Sequence, residues 1–181
     1  QNNEKIIDNW ANMNTPYDEP SEQGLCGSII IGGIETYEHV CSVVEQRDLF
    51  ILRLRHIWDV FVTLAGQGSA IDYLTVTAGL KESGKLAEVG GPAYITQLCN
   101  VNFTHINALS YAYTVRLYGV RRRGMALADT IKAGCVNTQV GIHVSMATMA
   151  VGFNQWIAEL PNTTTASAEE VTDELLQDLN N

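Results

Sequence analysis

The sequence has few charged side chains, no long uninterrupted apolar run and no closely spaced pair of cysteines. Charged residues make up 17% and hydrophobic residues 46% of the 181 residues, an ordinary balance for one globular domain. Without an apolar run long enough to cross a bilayer, and without a signal peptide, the sequence predicts neither a membrane protein nor a secreted one. We therefore expect a cytoplasmic protein in a reducing compartment.

The thiols and imidazoles are scattered along the chain. Zinc sites and dense disulfide frameworks require closely spaced ligands, and even the neighbours His39 and Cys41 lack the further ligands that zinc needs. We expect buried free thiols and no metal site. The residues concerned are Cys26, Cys41, Cys99 and Cys135, together with His39, His56, His105 and His143.

The charge balance is acidic, with a net charge of −9 and a pI near 4.8. A surface built to hold phosphate backbones carries the opposite sign, so we expect no direct nucleic-acid contact. One basic cluster departs from this balance, Arg121 to Arg123 with Arg116 shortly before it. It is either a local anion site or, as we favour, a solvated or salt-bridging helix face.

No catalytic motif is complete, so we expect no catalytic residues and no cofactor in this chain. Residues 79–86 match the phosphate-binding loop Gly-x-x-x-x-Gly-Lys, but Leu86 stands where Ser or Thr must hold magnesium. Such a loop also follows a β-strand, whereas this segment follows a helical pattern and carries Glu82 where phosphates would lie. We interpret it as the end of a helix and a turn, not as a nucleotide site.

Apolar spacing predicts an α-helical chain after a flexible tail at residues 1–20. The run from Leu25 to Ile31 fits either a buried strand or a helix, whereas residues 37–44 and 52–64 show helical stripes. Asp72 is a predicted N-cap, and Pro92 suits the first turn of another helix. We divide the chain into a tail at 1–20, a helical bundle at 21–118 and an extended helical hairpin at 119–181.

The predicted hairpin contains more apolar residues than one exposed helix should carry. A long helix capped by Thr104 is expected to bend or break between Gly134 and Gly141. An apolar segment at 140–160 follows, and a capping box at Ser167 opens a final helix, so that these two helices would form the hairpin. The candidate protein interface comprises Met146, Met149, Phe153, Trp156, Ile157, Leu175 and Leu179.

Several segments, read in order, resemble the N-terminal domain of DnaB-type replicative helicases. The most specific is similar to the family pattern P-I-D-x-x-T-V … L … G-x-L … G-G-x-A-Y-L-x-x-L, with Leu54 in an earlier segment standing where the family usually has His. The resemblance covers about residues 20–123 and runs through Pro20–Ile30, Asp48–Phe61, Ala70–Val76, Leu80, Gly84–Leu86, Val89–Gly91, Ala93–Ile95, Leu98, Asn107, Tyr111, Ala112, Val115 and Arg121–Arg123.

This resemblance implies an all-α fold, and it favours the helix over the strand at Leu25 to Ile31. It implies a collar domain of a hexameric ring that associates with itself and receives the primase, with a helicase loader as a further partner. ATP and magnesium are implied only for a motor domain outside this chain. The alternative is a free-standing protein of this fold, such as a phage factor that modulates a helicase or primase.

The apolar surplus at residues 146–157 also has two interpretations. A hairpin that stands away from a bundle has few neighbours within its own chain, and self-association commonly covers such residues. Burial against the chain's own bundle is the alternative, and the sequence leaves both open.

Overall fold

Seven α-helices and one short 3-10 helix make up the part of the chain described by the computed structural model, which comprises residues 15–101, 105–139 and 141–159. No β-strand occurs within those ranges. The expected all-α fold is confirmed. The helices are α1 (Glu19–Val40), the 3-10 helix (Gln46–Asp48), α2 (Leu52–Gly66), α3 (Tyr73–Glu82), α4 (Leu86–Val89), α5 (Gly91–Val101), α6 (Ala108–Val136) and α7 (Ile142–Ala158).

Helix α1 begins inside the segment predicted to be a flexible tail. The Asp18 side chain accepts a hydrogen bond from the Ser21 amide at 3.0 Å, and Pro20 lies in the first turn, where its missing N–H costs nothing. Helix α1 thus begins two residues before the proposed end of the tail at residue 20, and residues 1–14 lie outside the described ranges. Residues 25–31 are helical, as the resemblance implied.

Helix α1 bends at Gly33, whose φ of +72° is a left-handed conformation that favours glycine. The helical stripe predicted at residues 37–44 is the second part of this helix, which ends at Val40. Asp72 caps α3 as predicted, accepting from the amides of Leu74 and Thr75 at 2.8 and 2.9 Å. Pro92 lies in the first turn of α5, also as predicted.

The core of the bundle lies around α1, which packs between α5 and α6. The helical stripe predicted in α2 is confirmed as a core face, because Leu54, Ile57 and Phe61 are completely buried. Truncating one such large side chain to alanine typically costs about 2–5 kcal/mol. Other fully buried residues of this core are Leu25, Ile29, Leu49, Leu80, Ile95, Leu98 and Ala112.

Helix α6 extends from the bundle into the hairpin without interruption. It passes through Gly119 and Gly124 and ends at Val136. The break predicted between Gly134 and Gly141 is confirmed. The proposed division at residue 118 falls inside this helix, and the predicted Thr104 cap lies outside the described residues.

The described hairpin consists of the distal half of α6 and α7, joined by residues 137–141. The sequence predicts that the helix at 140–160 pairs with a final helix that begins at Ser167. Within the described residues the partner of this helix, α7, is α6, whose Gly124 and Gly134 let α7 approach closely. The predicted final helix, with Leu175 and Leu179, lies outside the described residues.

Candidate protein-interaction surface on the helical hairpin

One face of α7 packs on α6 through residues spaced three or four apart. A Cβ atom added at Gly134 would lie 2.9 Å from Cε of Met149, and one added at Gly152 would lie 2.8 Å from Cδ1 of Leu127. A side chain at either glycine would therefore require the neighbouring methyl group to move. The two helices are therefore antiparallel, and the inner face of α7 is Ser145, Met149, Gly152 and Trp156.

Trp156 packs against α6 at the end of the hairpin that is nearer the bundle. Its ring lies over Gly124, where an added Cβ would be 2.7 Å from Cζ2, and its indole N–H donates to the carbonyl of Val120 at 2.8 Å. That carbonyl belongs to the helix backbone, so the bond fixes the indole's height along α6. The ring of Phe153 lies 5.9 Å from the Trp156 ring and continues the apolar surface outwards.

Asp48 connects the bundle to the hairpin. Its side chain is completely buried, and the carboxylate accepts from Arg116 at 3.1 Å and from Arg123 at 2.8 Å. Gly119 between those arginines allows this approach, because an added Cβ would lie 2.9 Å from Cα of Asp48. Two arginines compensate the loss of hydration at one buried carboxylate.

Glu159 joins the same cluster from the end of α7. Its carboxylate pairs with Arg123 and also with Arg47, at 3.4 Å in the latter case. The backbone carbonyl of Glu159 accepts from Arg116 at 3.2 Å. The cluster of Asp48, Arg116, Arg123 and Glu159, called here the junction cluster, thus ties both hairpin helices to the bundle.

The basic cluster is therefore mainly a salt-bridging and hydrogen-bonding face, as favoured from the sequence. Arg122 donates to the backbone carbonyls of Asp48 and Pro16, the latter at 2.8 Å, and burial lowers its pKa. Its guanidinium also lies 5.5 Å from the Phe50 ring, whereas Arg121 is exposed beside Tyr118. An anion site is not required to explain these arginines.

Glu22 is a second buried carboxylate near the junction. It accepts from the amides of Phe50 and Ile51 at 2.8 and 3.0 Å, which satisfies backbone donors at the start of α2. Burial raises the pKa of Glu22, and those two backbone hydrogen bonds oppose the rise. Sequence reasoning did not assign either Glu22 or Asp48 a structural role.

The outer face of α7 is apolar and exposed. This helix contains no Asp, Glu, Lys or Arg. Apolar residues spaced three or four apart form an exposed surface beside the face that contacts α6. We call Ile142, Met146, Phe153 and Ile157 the outer stripe; their exposed fractions are 52%, 58%, 47% and 42%.

The sequence-predicted interface residues divide between the two faces. Met146, Phe153 and Ile157 lie on the outer stripe, whereas Met149 and Trp156 are half-buried on the inner face. The inner residues pack within the chain, on α6 of the hairpin and not on the bundle core. The outer residues are exposed, and for them self-association stays a prediction.

The segment at residues 79–86 has the structure expected of a helix end. Helix α3 stops at Glu82, and Gly84 makes the turn with φ of +72°. Lys85, which would contact phosphates in a nucleotide-binding loop, pairs with Glu88 at 2.9 Å. An open groove of about 370 Å³ beside it is lined by both acidic and basic side chains, including Asp59, Glu82 and Lys85.

The cysteines are free, as expected, but only Cys26 is buried; Cys41 and Cys135 are exposed. Across residues 15–101, 105–139 and 141–159, His, Cys, Asp and Glu side chains nowhere gather in a group of three that could hold a metal ion. Among the helices described for this chain, none has the length and apolar character needed to cross a membrane.

Comparison with known proteins decides the family. The family model "DnaB-like helicase N terminal domain" matches residues 14–117, more than half of the chain. The chain belongs to this DnaB-like N-terminal domain family. The matched range contains the bundle and the Asp48 side of the junction cluster, while α7 lies beyond it. The family resemblance inferred from the sequence is confirmed.

Curated relatives of this DnaB-like domain are longer proteins. It is 29% identical over 126 residues to the replicative DNA helicase DnaB of Leifsonia xyli, which covers 70% of this chain and 26% of the relative. It is 28% identical over 116 residues to the replicative DNA helicase DnaC of Bacillus subtilis, covering 64% of this chain and 25% of that protein. The chain thus spans about a quarter of the length of these relatives.

Solved structures share the fold of this DnaB-like domain. The N-terminal domain of DnaB helicase from Mycobacterium tuberculosis aligns with a TM-score of 0.73 and 22% identity, covering 78% of this chain and 99% of that one. A DnaB-like replicative helicase, whose structure was described with its interactions with primase, aligns with a TM-score of 0.62 and 17% identity. It covers 90% of this chain and 36% of the other.

Proposed function

We propose that this chain is the collar domain of a hexameric replicative DNA helicase, which associates with its own copies and receives the primase during DNA replication. The observation that carries the proposal is the exposed outer stripe on an uncharged helix. Monomeric proteins seldom expose contiguous apolar surface of this kind, and a second copy is the commonest cover for it.

The junction cluster supports this role by fixing the hairpin to the bundle. An interface that sets the geometry of a ring must be presented at a constant angle, and side chains locked by buried ion pairs achieve this. Asp48 and Glu159 hold α6 and α7 through the same two arginines. The outer stripe therefore projects from a rigid support.

Primase is the second proposed partner, and its support is comparative. A structural neighbour of the same fold was described with its interactions with primase. A helicase loader is a further proposed partner, and the proposed compartment is the cytoplasm. ATP and magnesium would be bound by a motor domain of the parent helicase, and this domain would neither contact nucleic acid directly nor carry catalytic residues.

Self-association is tested by measuring solution mass with light scattering behind a sizing column, across a concentration series. The protein is expected to form dimers or larger assemblies of the 19.9-kDa chain, and Phe153→Asp to shift it to the monomer at the same concentration. Gln155→Asp is the matched control, since it adds the same charge to an exposed position on the opposite side of α7.

Two results would contradict the collar proposal. One is a monomeric protein at every concentration. The other is an equal loss of mass in both variants, because a charge on the opposite side of α7 does not enter the outer stripe. Circular dichroism should show that Phe153→Asp keeps its helical content, since Phe153 is 47% exposed and outside the bundle core.

A further inference from the structure

A short non-helical segment, residues 15–18, lies where the bundle meets α6. We call this segment the strap. It leads directly into α1, because the Asp18 side chain caps that helix and the Asp18 carbonyl accepts from the Glu22 amide at 3.0 Å. The bundle therefore fixes one end of the strap, and the remaining contacts of the strap reach the middle of α6.

Arg122 connects the strap to α6. One guanidinium nitrogen donates to the carbonyl of Pro16 at 2.8 Å, and another donates to the carbonyl of Asp48. Both acceptors are backbone groups, so these bonds do not use the Asp48 carboxylate that binds Arg116 and Arg123. Hydrogen bonds from a charged donor are roughly twice as strong as those between neutral groups. Arg122 is thus a second connection between the bundle and α6, beside the junction cluster.

Two aromatic rings hold the strap next to this arginine. The Tyr17 ring stacks on the Phe50 ring, with centroids 4.6 Å apart and planes inclined by 27°. The Phe50 ring in turn lies 5.5 Å from the Arg122 guanidinium. Both aromatic side chains keep access to water, with 43% of Tyr17 and 38% of Phe50 exposed. Contacts of this kind open more readily than a buried core, so the strap can release while the bundle stays folded.

The part of α6 around Arg122 is the part that its own sequence stiffens least. Gly119 lies three residues before it and Gly124 two residues after it, and the helix continues through both. Glycine is less favourable than alanine inside a helix because its backbone loses more freedom there, and bends concentrate where a helix is interrupted in this way. A contact that braces this stretch from outside therefore affects the direction of everything beyond it.

The junction cluster alone braces only one side of this stretch. Successive residues of a helix are rotated by about 100°, so Arg122 projects roughly a quarter turn away from its neighbour Arg123. Arg123 reaches the Asp48 carboxylate, whereas Arg122 reaches the strap. Two restraints at such an angle hold the helix in two directions, and one of them leaves the other direction free.

We propose that the strap is a releasable brace that sets the angle of the hairpin on the bundle. With the strap closed, Arg122 holds α6 in the observed direction. Release of the strap removes the Pro16 acceptor from Arg122, and α6 then bends between Gly119 and Gly124 with the junction cluster as the pivot. The distal half of α6 carries α7 with it. The proposal is independent of self-association.

The test measures the orientation of the hairpin in the full chain by pulsed electron paramagnetic resonance. Cys41 at the end of α1 and Cys135 near the end of α6 are exposed and can carry nitroxide labels, while Cys26 is buried and Cys99 is replaced by serine. Dilution with unlabelled protein restricts the measurement to distances within one molecule. Cys135 lies about 20 Å along α6 from Arg122, so a bend of about 20° displaces it by about 7 Å.

The unmodified chain is expected to give one narrow distance distribution. Tyr17→Ala removes one of the stacked rings and should broaden this distribution or shift it by up to about 7 Å. Phe50→Leu removes the other ring and should have the same effect. Thr15→Ala, at an exposed position of the strap, is the matched control and should leave the distribution unchanged. Circular dichroism should show equal helical content in all four proteins, because Tyr17 and Phe50 lie outside the buried core.

Two outcomes would overturn the proposal. The first is a distribution in Tyr17→Ala and Phe50→Leu that equals that of the unmodified chain, because the strap would then not set the angle of the hairpin. The second is an equal change in Thr15→Ala, because the effect would then not come from the stacked rings. A change confined to Tyr17→Ala and Phe50→Leu, at unchanged helical content, supports the proposal.

Discussion

Asp48→Asn removes the charge at the centre of the junction cluster while keeping the size of the side chain. Asp48 is completely buried and accepts from Arg116 and Arg123, which are themselves largely covered, with 13% and 23% of their side chains exposed. The substitution leaves two guanidinium groups that have lost their shared carboxylate. The bundle and the hairpin meet at this point, so we expect the substitution to destabilise both.

Removing one partner of a buried ion pair typically costs about 3–5 kcal/mol in free energy of unfolding. We expect the lower end, about 3 kcal/mol, because Arg123 keeps its pair with Glu159 and both arginines retain some access to water. For a chain of this size that loss corresponds to a fall in Tm of about 6–12 °C.

The assay is thermal and urea unfolding of the two proteins at equal concentration, followed by circular dichroism. Glu19→Gln is the control, since Glu19 pairs with Arg53 at 3.5 Å and both side chains are well exposed. An exposed pair of this kind contributes at most about 1 kcal/mol. If Asp48→Asn costs no more than Glu19→Gln, the junction cluster does not hold the hairpin to the bundle.

Two further predictions concern Glu22 and Gly124. Burial raises the folded-state pKa of Glu22 above its ordinary 4.5. The contribution of Glu22 to the free energy of unfolding is therefore full below pH 4.5 and is lost as the pH rises through the raised pKa. In urea titrations from pH 4 to 8, the free energy of unfolding of Glu22→Gln should therefore increase relative to that of the unmodified protein as the pH rises. A difference that does not change with pH would contradict this. Gly124→Leu should displace the Trp156 ring and destabilise the hairpin by about 1–3 kcal/mol, whereas Ala128→Leu, at an exposed position on α6, should change stability by less than about 0.5 kcal/mol. Equal Tm values for these two variants would show that the α6–α7 contact tolerates a side chain at residue 124.

Local chemistry in the sequence determined where two of the helices begin and which face of a third is buried. Asp72 and Pro92 predict helix starts because capping and the proline ring act within a few residues, and the stripe in α2 predicts a buried face because side chains three or four apart share one side of a helix. The mismatch at Leu86, together with Glu82 and the preceding helical pattern, also argued against a nucleotide-binding loop. These inferences need no knowledge of the rest of the chain.

Only the tertiary structure decided which distant groups meet. Asp48 and Arg116 are 68 positions apart, and no local pattern relates a carboxylate after α1 to arginines in α6. The partner of α7 was likewise undetermined, because its apolar residues surround much of the helix and periodicity does not say which face is covered. Gly124, Gly134 and Gly152 lie where α6 and α7 approach closely. This contact covers the inner face of α7 and leaves the outer stripe of the predicted interface exposed.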